Sequence, residues 1–248
     1  MVGLQSVAVA KDSTARYFES HLTDYDPARF DTAISWIAEL GRESPSILEV
    51  GCGTGNVLEA IAARIPNARL AGSDISEEAL GLARNRLEFE SFHASVLDPA
   101  FVQSVSGRFD FVIVGAVLHH LVDRSRRSSR RMVHEALENC TQLIAPGGHL
   151  LVVEPTFSPS LAMWAVFWVK RLVGATTSQR VEFGTWNNVG QPVVSYIGPK
   201  QLEELAEGAG WSVARADHPA AKLQRLPRML GVRGRWESTL LANYRRSD

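Results

Sequence analysis

The sequence predicts an α/β domain on an open, mostly parallel sheet, and three observations predict it. From residue 46 to 155, short apolar runs of β type alternate with segments of helical periodicity. The first run stops at a loop with three alternating glycines, Gly51, Gly53 and Gly55. After Pro155 the rhythm breaks, and it returns at residue 199 as helix, strand, strand. Strands that alternate with helices in this way imply right-handed βαβ units.

Each element has a local reason. Residues 12–40 read as a helical cap, with Trp36, Ile37 and Leu40 on one apolar face. "SILEV" (46–50), between Pro45 and Gly51, reads as a buried strand, and Leu58, Ile61, Ala62 and Ile65 follow at helical spacing. "ARLAGSD" (68–74) is the second strand. Ser76 caps the next helix, with Glu77 and Glu78 in the first turn, where the helix dipole favours negative charge. "SFHAS" (91–95) is a weak third strand and "FDFVIVGAV" (109–117) a strong fourth. A helix over 130–144 ends at "APGG", and "HLLVVEP" (149–155) is the fifth strand. The helix 199–210 and the strands 211–217 and 236–244 complete the pattern. One domain, 1–248, results: a cap (1–40), a core (41–155), an insertion (156–198) and a C-terminal helix with two strands (199–248).

Composition narrows the function classes. Of 248 residues, 45% are apolar and 21% charged, and the net charge is −1, so no global field favours nucleic acid or an anionic membrane. Cys52 and Cys140 have no metal-site spacing, which predicts neither a metal nor a disulfide framework and fits a reducing, cytoplasmic setting. The start, "MVGLQSVAVAKDSTARYF", lacks the pattern of a signal peptide, and "LAMWAVFWV" (161–169) is too short to span a bilayer, so no integral membrane segment is expected.

The glycine loop carries the first chemical inference. Ligands of open α/β sheets bind at the carboxyl ends of the strands, and glycine lets the backbone turn there and approach a ligand closely. The dinucleotide fingerprint needs a third glycine where this chain has Asn56. Glu49, two residues before the loop, would repel a pyrophosphate but suits a cation. Asp74, closing the second strand, stands where an acid accepts hydrogen bonds from ribose hydroxyls. A ligand with a ribose and a positive end fits, as in S-adenosylmethionine.

At this point the sequence resembles the class I S-adenosylmethionine-dependent methyltransferases. "LEVGCGTG", "GSDIS", "FDFVIVGAVLHHL" (109–121) and "LIAPGGHLLVVEP" (143–155) are similar to four ordered motifs of that family, over about 46–155. The resemblance implies a Rossmann-like, seven-stranded sheet with an antiparallel last strand, helices on both faces and a lid inserted after strand five. It also implies S-adenosyl-L-methionine as cofactor, with Glu49 and the loop Gly51, Cys52, Gly53 and Gly55 at the methionine end and Asp74 on both ribose hydroxyls. Ile75 and Gly115 join that set. Ser95 stands where the family usually has an acid contacting adenine, and Val96 would offer its backbone N–H to the ring. Tyr17 matches a tyrosine that often closes over the cofactor.

Methyl transfer needs an aligned nucleophile, a dry site and, for a hydroxyl acceptor, a base. "AVLHHL" puts His119 and His120 just past the fourth strand, and Glu154 ends the neighbouring fifth. His119 is the expected base, with His120 as the substitute and Glu154 orienting the imidazole; the competing readings are a packing or capping histidine and a solvated carboxylate. His21, His93, His134, His149 and His218 read as structural or surface residues.

In the insertion, Met163, Trp164, Phe167, Trp168 and Arg171 recur at helical spacing. The aromatic helix reads as a lid over a flat, greasy acceptor, as core packing against the cap, or as the interface of a homodimer. Trp186, Asn187 and Tyr196 would line the same pocket. Docking on a membrane surface is disfavoured by the scarcity of lysine and the near-zero net charge. "DRSRRSSRR" (123–131) reads mainly as a solvated loop and helix start, the alternatives being a site for a substrate anion or for RNA.

The expected function is methyl transfer to a small-molecule acceptor, with a hydroxyl of a natural-product-like or hydrophobic metabolite first. N- or C-directed transfer, an RNA or protein methyltransferase and a non-catalytic cofactor binder are the alternatives. "GAVLHH" replaces the N/D-P-P-Y/F signature of base amino-methyltransferases, and a pI of about 6.7 argues against a basic groove, so no nucleic-acid partner is expected.

Overall fold

The computed structural model describes residues 26–176, 193–223, 225–229 and 231–245. Tyr17, Trp186 and Asn187 lie outside them, as does the part of the expected cap helix before Asp26.

Seven strands form one sheet in the order β3-β2-β1-β4-β5-β7-β6. They are β1 (Ser46–Val50), β2 (Arg69–Asp74), β3 (Glu90–His93), β4 (Phe109–Gly115), β5 (Ile144–Ser158), β6 (Trp211–Asp217) and β7 (Gly234–Tyr244). The pairings among β1–β5 are parallel, and β7 runs antiparallel between β5 and β6. The order reverses at β1, so the carboxyl ends of β1 and β4 flank a crevice where this class of sheet binds ligands.

Eight helices accompany it among the described residues: α1 (Asp31–Glu39), α2 (Asn56–Arg64), α3 (Glu77–Arg86), α4 (Pro99–Ser104), α5 (Arg126–Leu143), α6 (Ser160–Thr176), α7 (Pro199–Gly208) and α8 (Arg225–Met229). Even-numbered β5 residues such as Leu150 and Val152 pack under α5 and α7, whereas Leu151 and Val153 pack under α1 and α2. This is the period-2 alternation of a strand covered on both faces. Trp211 is fully buried, and its indole N–H donates to Leu137 O at 2.9 Å, fastening β6 to α5.

Several boundaries differ from expectation for physical reasons. Helix α5 starts at Arg126, not 130. Ser125 and Ser128 form a reciprocal capping box that satisfies the first amides although the turn is rich in arginine. Helix α4 was unanticipated; Asp98 caps it and Pro99 starts it. Strand β5 is longer than 149–155 because its pairing resumes on both sides of a bulge, between Ile144 and His149. Of the cap, residues Pro27–Phe30 form a 3-10 turn before α1. Strand β4 stops at Gly115. Ala116 then adopts a left-handed φ of 54°, its N–H bonded to Val153 O, and a 3-10 turn, Leu118–His120, follows.

The arginine cluster is corrected in part. Arg126 is buried, and its guanidinium donates to Ser160 O at 2.6 Å and to Tyr196 O. It ties the start of α5 to the start of α6 and to the end of the insertion. Arg124, Arg127 and Arg131 are exposed.

Candidate functional site

The loop after β1 is stitched to β2. Gly51 N and Cys52 N both donate to Ser73 O, at 2.6 and 3.0 Å. Gly51 has φ +72°, and a Cβ there would stand 2.3 Å from Val117 Cγ2. Gly53 has φ +52° with open space where a Cβ would go, and Gly55, φ +83°, is the N-cap of α2. The loop is thus bare on the side of the crevice because glycine alone supports this backbone there. The Cys52 side chain points the other way, packing with Leu58 and Leu80. Burial, reinforced by Glu49 and Asp74, pushes its thiol far up, so it stays protonated.

Two carboxylates converge beside this loop. Asp74 accepts from Gly53 N and Ser76 N, one bond to each oxygen at 2.9 Å. Burial raises its pKa, and these amides, with Ile75 N and His93, oppose the rise. The pinned carboxylate keeps lone-pair capacity beyond these amides with which to accept from a hydroxyl. Glu49 is 2% exposed, and its Oε2 has no hydrogen-bond partner among the described residues. Burial and then the charge of Asp74 raise its pKa well above the ordinary carboxylate range. A buried acceptor left without a donor costs about 1–3 kcal/mol. A cationic ligand that donates hydrogen bonds removes that cost, so this pair fits the amino end and ribose of S-adenosylmethionine.

The other expected cofactor residues stand at or just past the carboxyl ends of β2, β3 and β4. Ile75 O meets His93 Nε2 at 3.1 Å. Ser95 Oγ accepts from Leu97 N at 3.2 Å, closing the turn after β3. Val96 is buried, and its carbonyl accepts from Asn139 Nδ2 at 2.9 Å. A Cβ on Gly115 would lie 2.3 Å from the Phe30 ring, so this glycine lets the cap pack on β4.

The histidines sit one turn beyond β4. Glu154 accepts from Leu118 N at 2.6 Å with one oxygen and meets His119 Nδ1 at 2.7 Å with the other. Burial raises the Glu154 carboxyl, and the backbone N–H groups of Leu118, Val117 and His119, together with Arg29, pull it back down. Burial lowers the proton affinity of His119, and Arg29 and Lys170 lower it further. His119 is thus held as a neutral imidazole, with one proton shared between its Nδ1 and Glu154. His120 lies against it, ring centroids 4.0 Å apart, and is held neutral by burial and by the charges of its neighbours. The Tyr196 ring stacks on His119 at 5.2 Å and meets the Phe157 ring at a tilt at 4.4 Å, while Ser195 N donates to His119 O.

The structure thus brings His119, His120, Glu154 and Tyr196 together. Trp164 and Trp168 are placed differently. Trp164 is on the outward side of α6, and the two indoles meet edge-on at 6.2 Å. Sequence reasoning missed Lys170, which is buried on the inward side of α6, where burial lowers its pKa to about 8. A lysine within an aromatic helix, two residues after Trp168, was the available signal.

Known proteins supply the remaining test. Residues 48–150 match the model of a methyltransferase domain family. A ubiquinone biosynthesis O-methyltransferase of Aromatoleum aromaticum is 30% identical over 213 residues, covering 82% of this chain and 77% of that protein. Ribosomal RNA small subunit methyltransferase C of Haemophilus influenzae is 29% identical over 113 residues, 46% of this chain and 33% of that one. Among solved structures, magnesium protoporphyrin IX methyltransferase from Synechocystis with bound S-adenosylmethionine superposes with a TM-score of 0.58 at 15% identity, covering 96% and 97% of the two chains, a likeness of fold. The chain belongs to the class I S-adenosylmethionine-dependent methyltransferases and is an enzyme that uses S-adenosyl-L-methionine as methyl donor.

Proposed function

We propose that the enzyme methylates a hydroxyl of a small, largely apolar acceptor, with His119 as the base and Glu154 as its orienting partner. One observation carries this reading: His119 Nδ1 is held on Glu154 at 2.7 Å, and with the ring proton on Nδ1 the Nε2 lone pair is offered to a hydroxyl. S-adenosylmethionine supplies a methyl carbon already activated by its sulfonium. The chain must then hold the acceptor oxygen in line, take its proton and keep water away. Burial of His119 and of Glu154, with His120 half-buried beside them, supplies the dry setting, and the Tyr196 ring beside His119 supplies a flat wall for an aromatic acceptor. A base so placed contributes about 10²–10⁴ in rate.

The Aromatoleum relative supports a small hydroxyl acceptor because its match runs through most of both chains. RNA is the second reading, and the likeness to the ribosomal RNA enzyme favours it, although that match covers 46% of this chain. Methyl-labelled cofactor should be offered with a panel of phenols, catechols and aliphatic alcohols, with amines, and with ribosomal RNA. Label on a hydroxyl compound is expected; label confined to amines or to RNA would reject the proposal.

A further inference from the structure

Helix α6 has an inverted pattern. Its inward side carries Ala162, Met163, Val166, Phe167 and the buried Lys170, whereas its outward side is apolar as well. Leu161 is 78% exposed, Trp164 55% and Leu172 67%, and Trp168 is half-buried between them. Spaced by three, four and four residues, these side chains share one stripe. Helices that are apolar all round belong in a protein core or in lipid. This one lies on the surface, and no helix among the described residues is long and apolar enough to cross a membrane.

Among the described residues, arginine predominates along the rim of the stripe. Arg126 and Arg130 reach Ser160, and Arg171 donates to Asp123 O at 2.9 Å, which lays the arginine-rich start of α5 along one flank. Val232 packs on Ala162, Met163 and Val166, which lays the segment around α8 along the other, with Met229 81% exposed. Arg124, Arg127, Arg228 and Arg233 are exposed on these flanks. Ser160–Thr176 contains no Asp or Glu, and neither do 124–131 or 225–233. A tryptophan–leucine stripe between arginine-rich flanks matches the boundary between anionic headgroups and acyl chains. The near-zero net charge of the whole chain, which argued against a membrane, hides this local excess.

We propose that the outward face of α6 docks the enzyme on the surface of a membrane containing anionic phospholipid. Flotation with vesicles of phosphatidylcholine, alone or mixed equally with phosphatidylglycerol, tests it on the full chain. The enzyme should float with the mixed vesicles, with a blue shift of tryptophan emission, and should be released by salt. Leu161→Asp with Leu172→Asp should lower vesicle affinity at least about tenfold while calorimetric affinity for the cofactor is kept, which separates loss of docking from misfolding. Protein that stays unbound in the mixed vesicles overturns the proposal, whether another stretch of the chain or a second copy covers the stripe. Equal flotation of the double variant, or of wild type with pure phosphatidylcholine, overturns it too.

Discussion

Glu49→Gln should raise the stability of the cofactor-free enzyme and weaken its hold on the cofactor. Glu49 is buried with Oε2 unpartnered, and burial and Asp74 raise its pKa. A raised carboxyl adds stability below its unfolded value of about 4.5 and loses it as the pH rises through the folded value. At neutral pH the cofactor-free protein therefore carries the unfavourable end of this linkage. Gln removes the charge at nearly constant shape, recovering part of the roughly 1–3 kcal/mol that an orphaned buried acceptor costs. For a chain of this size that is about 2–8 °C in Tm. The gain should shrink as the pH falls toward 4.5. With cofactor present the sign reverses. Losing a hydrogen bond to a charged group costs about 1.5–3 kcal/mol, which is about 10–150-fold in Kd. A Kd within about twofold of wild type, together with an unchanged Tm, would refute the assignment of Glu49 as the cation acceptor.

Four further outcomes follow from the same contacts. Glu154→Gln, keeping the bond from Leu118 N on its oxygen, presents its amide N–H to His119 Nδ1 and so forces the ring proton onto Nε2; turnover in the label assay should fall about 10²–10⁴-fold at unchanged cofactor affinity. Gly51→Ala should fail to fold stably, because its Cβ would stand 2.3 Å from Val117 Cγ2, whereas Gly53→Ala should fold and lose cofactor affinity by calorimetry, because its Cβ enters the open crevice. Arg126→Met should lower Tm by leaving Ser160 O and Tyr196 O without their donor, at about 2–3 kcal/mol, while Arg127→Met, at an exposed position, should leave Tm and turnover unchanged. A lowered His119 keeps its contribution to stability above its ordinary 6.5 and loses it as the pH falls below, so His119→Asn should flatten the acid side of the Tm–pH curve, and wild-type kcat/KM should show no inflection at 6.5.

The sheet was legible because its signals are local. "SILEV" is buried on both faces and reads as a continuous apolar run, and Ser76 and its two glutamates mark the start of α3. The loop chemistry was legible because positive φ at Gly51, Gly53 and Gly55 leaves its trace in residue type. Helix α4 was hidden because six residues hold too few turns for periodicity, although Asp98-Pro99 announced it. The early start of α5 was hidden because arginines oppose the dipole there, and the Ser125–Ser128 box outweighed them. Burial of Arg126 and Lys170 depends on α6 folding back over α5, a long-range event that no local pattern reports. His218 illustrates the same limit. It bridges Glu203 at 3.1 Å and Ser238 at 2.8 Å, and Ser238 meets Thr156 at 2.7 Å, joining α7, β7 and β5 through residues far apart in the chain.

The site was legible to the same degree. Glu49 and Asp74 could be paired from sequence because each lies at the end of an adjacent parallel strand. His119 and Glu154 could be paired because β4 and β5 are neighbours, and the bond between them is the contact that this topology permits. Trp164 had no such frame: helical spacing put it with Phe167 and Trp168, and only docking of the helix decided which side faced out.

The central claim joins a donor, a small hydroxyl acceptor and a histidine base, and one experiment reaches all three. The purified enzyme, alongside its His119→Ala variant, is given methyl-labelled S-adenosylmethionine and a small-molecule extract, and products are identified by mass spectrometry. A labelled methyl ether formed by wild type, and reduced at least about 100-fold in the variant with cofactor binding intact, is the expected result. An ether formed equally fast by the variant, or label found only in macromolecules, would contradict the account.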